Sequence, residues 1–129
     1  MEILTTIHGE FRWLILLIAL VAIVKFAIGL VKKQDYTPTD GKIMLAYTIA
    51  LDIQALMGIT LLILGGEFDR PHLEHATTMI IAIVVAHLNA IWRKSGNSGK
   101  IFRNNLIVIL ISLALILMGV IRFRGGWIF

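Results

Sequence analysis

Residues 13–31 read WLILLIALVAIVKFAIGLV, and Lys25 alone breaks the apolar run. A helix needs roughly 20 such residues to cross the hydrocarbon of a bilayer. Three further runs of the same kind follow at 43–64, 76–92 and 106–121. Four core helices of a soluble domain would each need a polar outer face, and these runs are apolar all round. The expected fold is therefore all-α: an integral membrane four-helix bundle running up-down-up-down, with spans about 12–32, 43–65, 74–92 and 104–122.

Composition points the same way. A chain of 129 residues that is 58% hydrophobic and 16% charged has too little volume to hide that apolar surface from water. The whole chain, 1–129, reads as one transmembrane domain. The first run is too long and too heavily flanked for a signal peptide, so Met1 is expected to start the mature protein. With no cysteine, disulfides, thiolate nucleophiles, iron–sulfur clusters and c-type haem attachment are excluded. The connections are short: Gln34 to Gly41 carries a Thr-Pro-Thr-Asp-Gly turn, and Ser95 to Gly99 is a Ser/Gly link.

Charge sets the expected orientation. Seven basic residues (Lys32, Lys33, Lys42, Arg93, Lys94, Lys100 and Arg103) lie on one side, against Arg12, Arg70, Arg122 and Arg124 on the other. Short basic loops stay in the cytoplasm, which puts both chain ends outside. Trp13, Trp92 and Trp127 fall near the expected interfaces, where amphipathic rings prefer to lie. The net charge of +4 suits anionic lipid better than nucleic acid.

Few polar residues are left for chemistry. His8 and His75 open the first and third spans, which run parallel in such a bundle and sit diagonally across it, so the two imidazoles share a depth. That arrangement can hold a flat macrocycle by two axial nitrogens, and imidazole is a common axial ligand of haem iron. Met79, Ala82 and Ala86 continue the face of His75, as Ala19 and Ala22 continue that of His8, and small side chains there leave room for a ring. An alanine stripe serves close helix packing equally well. Arg12, Arg122 and Arg124 lie at the same end and suit haem propionates. As interfacial charges they could equally pair with Glu10, Glu74 or lipid phosphate.

A second polar layer contains Lys25, Asp52 and His87. Ionisable groups at such depths usually face the bundle interior. A Lys25–Asp52 ion pair with His87 on the carboxylate is the simplest arrangement, although Lys25 could snorkel to the surface. For His87 the sequence leaves three roles open: ligand of a second haem, proton relay beside Asp52, or packed core residue. Gln54 lies nearly opposite Asp52 on its helix, so one of them must contact a neighbouring helix or another subunit. Gly58, Ser112 and Gly119 mark expected close helix crossings. His72, beside Pro71, is expected in solvent, and a metal site on Glu74 with His75 is disfavoured because neighbours diverge by about 100°.

Taken together, His8-x3-Arg12-Trp13, Asp52-x-Gln54-x3-Gly58 and Glu74-His75-x11-His87 resemble small bacterial four-helix membrane proteins labelled cytochrome b or cytochrome b561-like. The resemblance spans most of the chain. It implies haem b carried in the bundle, a part in membrane electron transfer, and the bacterial inner membrane as location. Cytochromes b561 use two separated bis-histidine pairs, whereas only the His8–His75 pair can be assembled here. The expectation is one haem near the outer face, bound by His8 and His75 with Arg12 and Arg122 beside it. It would exchange single electrons with quinol or a partner redox protein, as an electron-transfer subunit rather than a stand-alone enzyme. Its partners would be the lipid bilayer and other membrane or redox subunits, with no nucleic acid. Two other readings stand beside it: a haem-free accessory or scaffold subunit of a larger complex, and a proton-conducting bundle using Asp52 and His87.

Overall fold

A computed structural model describes residues 2–124; Trp127 and the side chain of Arg124 lie outside what is described. Four helices make up the described chain: α1 (Glu2–Val31), α2 (Pro38–Gly65), α3 (Arg70–His87) and α4 (Ser98–Arg124). A short 3-10 turn, Leu88–Ile91, extends α3. All four are long and apolar enough to cross a bilayer, and the described residues contain no strand. The chain is a helical membrane protein. Helices suit that solvent because they satisfy every internal N–H and C=O within the segment.

Local chemistry sets the helix ends beyond the apolar runs. Thr37 caps α2 and Asp40 returns a bond to the cap backbone, a reciprocal capping box with Pro38 in the first turn. The Thr-Pro-Thr-Asp-Gly stretch therefore opens the helix at Pro38, where hydropathy alone starts the span at residue 43. Gly66 closes α2 with φ +65°, a left-handed conformation that glycine adopts without strain. Asp69 caps α3 by accepting from the His72 N–H, which places His72 in the first helical turn. Helix α1 begins at Glu2, an acidic residue at its dipole-positive end, so His8 and Arg12 ride on helix rather than on a leading loop.

Neighbouring helices pack in the cyclic order α1–α2–α3–α4, leaving α1 diagonal to α3. The end carrying the lysine-rich loops is sealed. Phe26, Tyr36 and Phe102 form a ring cluster with centroids 5.2–6.0 Å apart. Asn105 ties it down, donating to the Tyr36 hydroxyl at 3.1 Å and accepting from Trp92 Nε1 at 2.8 Å. Burial pushes the pKa of the Tyr36 hydroxyl above the usual phenol value, keeping it neutral. In mid-bundle the Tyr47 and Ser112 hydroxyls bond across the diagonal at 2.6 Å.

Ala19, Ala22, Ala82 and Ala86 are all fully buried in the packed core. The stripe thus lets backbones approach, and does not leave space for a ring. The tightest crossing is Gly29 against Phe102, where a Cβ would stand 2.5 Å from the ring. Gly29→Ala is expected to destabilise the bundle by about 1 kcal/mol. Overpacking of roughly 1–3 kcal/mol is only partly offset by the roughly 1 kcal/mol helix preference of alanine. Unfolding in SDS-containing mixed micelles, followed by circular dichroism, checks this.

Candidate functional site

The opposite end of the bundle is open. Between the start of α1, the end of α2, the start of α3 and the end of α4 lies a cavity of about 470 Å³. That volume is within the range of small-molecule and cofactor sites, roughly 300–1,000 Å³. Ile15, Leu51, Ile83 and Ile116 contribute apolar side chains to its lining. Its polar lining comes from His8, Arg12, Gln54, His72, His75 and a few neighbours.

His8 reaches the cavity from α1 and lies over Gly58 of α2, where a Cβ would stand 3.0 Å from His8 Cε1. Glycine at this crossing makes room for an imidazole. Gln54, one turn away on α2, donates from Nε2 to the His8 carbonyl at 2.6 Å and so ties α1 to α2 at cavity level. Its Oε1 is buried without a hydrogen-bond partner among the described residues, an acceptor held in the cavity wall.

His75 arrives from α3, diagonally opposite. Its Nδ1 faces the Gly119 carbonyl at 3.4 Å, and its ring lies 4.8 Å from that of Phe123. A carbonyl can only accept, so a hydrogen bond here is donated by Nδ1–H. A backbone carbonyl behind an imidazole is the usual support of a metal-ligating histidine.

Arg12 is only 6% exposed and also lines the cavity. Its Nη1 donates to the Gly9 carbonyl at 2.6 Å, and its guanidinium lies 5.1 Å from the Trp13 ring centroid. The guanidinium stays charged and its planar fork suits a carboxylate or phosphate.

His72 is the lining residue that sequence reasoning missed. It is half-buried rather than in solvent, bracketed by Glu67 at 2.9 Å on Nε2 and by Asp69 on Nδ1, with its ring edge-on to Phe123. The bond from the His72 side chain holds the exposed Asp69 carboxyl below the usual aspartate range. The signal was present in the sequence: an Asp cap followed by Pro71 starts the helix at Arg70, and a histidine three residues before His75 then shares its face.

Other expected site residues lie elsewhere. Arg122 is 68% exposed and pairs with Glu74 at 3.5 Å, which also holds Arg70 at 2.9 Å. The carboxylate draws it onto the α3–α4 surface and away from the cavity. Lys25, Asp52 and His87 do not form one buried cluster. Lys25 bonds Asp40 at 2.7 Å, because the capping box already fixes that carboxylate within its reach. Asp52 bonds His87 Nε2 at 2.8 Å on the outside of the α2–α3 pair, and neither residue lines the cavity. Among the described residues no group of three or more His, Asp or Glu is arranged to hold a metal ion by itself.

Fold and cavity together define a class: a four-helix membrane protein with an internal, histidine-lined, cofactor-sized cavity at one end. Comparison with protein-family models, curated proteins and solved structures returns no match for this chain.

Proposed function

We propose that this chain is a membrane b-type cytochrome carrying one haem, bound by His8 and His75 in the end cavity and exchanging single electrons with quinol or a partner redox protein. The observation that carries the reading is the pair of imidazoles lining one cavity from diagonal helices. The residues suit the group. Gly58 leaves space around His8, the Gly119 carbonyl lies behind His75 Nδ1, and Arg12 is a cavity-lining guanidinium of the kind that suits a propionate. When bound, haem would supply one-electron redox chemistry, which no side chain here provides. The chain would set its potential through two imidazoles, the aliphatic part of the cavity lining and the Arg12 charge. By the count of basic loop residues, this end faces outward, in a bacterial inner membrane.

The proton-conducting reading has no comparable support, since Asp52 and His87 lie outside the cavity. Haem titrated into the purified protein is expected to give a stoichiometric b-type band that dithionite reduces and ferricyanide reoxidises. No reducible band at saturating haem would overturn the proposal.

A further inference from the structure

The Asp52–His87 pair stands where lipid should be. Asp52 sits midway along α2, about 20 Å from either end at 1.5 Å per residue, and so lies within the hydrocarbon thickness. Yet its side chain is 49% exposed, and that of His87 is 46% exposed. Asp52 falls on a stripe of outward residues at helical spacing, with Ile49 and Leu56 a turn away on either side. His87, the last residue of α3, falls on a matching outward stripe between Val84 and Ile91 of the following 3-10 turn. Every other position of these stripes suits acyl chains, but a carboxylate and an imidazole do not; ionisable groups in a span almost always face protein or water. Their mutual bond uses one carboxylate oxygen and Nε2. For the other oxygen and Nδ1, no partner lies among the described residues.

We infer that a second copy of this chain covers the α2–α3 face, forming a two-fold dimer in the membrane. The patch is self-complementary. Rotating a copy by 180° about the membrane normal keeps every residue at its depth and sets α2 against the partner's α3, so each carboxylate meets an imidazole of the other copy. Two carboxylates and two imidazoles, acceptors and donors for one another, then share a protein interface, and the isoleucine, leucine and valine stripes interdigitate around them. A foreign partner would have to bring matching polar groups of its own, whereas this chain already carries both. The inference does not depend on what occupies the end cavity.

The chain has no cysteine, so introduced thiols report contacts cleanly. In liposomes, chains carrying Leu56→Cys mixed with differently tagged chains carrying Val84→Cys are expected to cross-link on oxidation. Leu17→Cys on the exposed face of α1 should not cross-link with either. Energy transfer between labelled copies should show association that weakens about tenfold or more in the Asp52→Leu/His87→Leu variant, the effect of losing two interhelical bonds. Circular dichroism of that variant checks that its helices persist. A monomer at every protein-to-lipid ratio, equal cross-linking to Leu17→Cys, or a different protein bound stoichiometrically over this face would each overturn the dimer.

Discussion

His75→Ala is expected to abolish the b-type band and to weaken haem binding more than about a hundredfold, because loss of a ligand exceeds the 10–100-fold effect of losing its outer support. Among the described residues the side chain bonds the Gly119 carbonyl at 3.4 Å and packs its ring against Phe123, and circular dichroism and unfolding of the variant test whether the helices persist. His8→Ala should act in the same way from the other side of the cavity. Arg122→Ala is the informative contrast: its guanidinium is on Glu74 at the surface, and the band and haem affinity should be unchanged. Spectra and haem titrations of the variants, beside circular dichroism, separate the outcomes. A full-intensity band in His75→Ala would remove His75 as a ligand and with it the bis-histidine site.

The fold was legible because lipid makes hydropathy nearly sufficient: residues 13–31 have no soluble structure to adopt, and three more runs of similar length fix a bundle. The shared depth of His8 and His75 followed from parallel alternate helices, and the structure does bring both to one cavity. Side-chain partners were less legible, because they depend on helix ends and rotations that apolar runs leave undetermined. Treating Thr-Pro-Thr-Asp-Gly, residues 37–41, as a turn hid Asp40 as the partner of Lys25, and only the capping box puts that carboxylate inside the bundle. The missed start of α3 likewise left His72 in solvent. Arg122 stood at the expected end, but its direction around α4 was not encoded by depth. Gln54 and Asp52 were placed on opposite faces of α2; the structure puts Gln54 in the cavity wall and Asp52 outside.

Asp40→Ala is expected to destabilise the bundle by about 3 kcal/mol, more than removal of the Asp52 carboxylate. The carboxylate is fully buried and accepts three bonds: from Lys25 Nζ at 2.7 Å, from the Thr37 N–H at 2.9 Å and from the Thr37 hydroxyl at 3.0 Å. Losing the cap costs roughly 1 kcal/mol and losing a charge-assisted bond roughly 1.5–3 kcal/mol. The sum falls near the lower value because the Lys25 side chain is 39% exposed and can turn its ammonium toward water. Asp40→Asn keeps an acceptor for Thr37 and gives up only the charge, so about half the loss should return. In a double-mutant cycle, Lys25→Met added to Asp40→Ala should cost little more than Asp40→Ala alone, since the two share one interaction. Asp52→Ala, measured in detergent at monomer concentrations, should cost under about 1 kcal/mol, as an exposed pair does. Equal losses for Asp40→Ala and Asp52→Ala in mixed-micelle unfolding would mean that Lys25 relies on Asp52 after all, and would return the buried pair to mid-membrane.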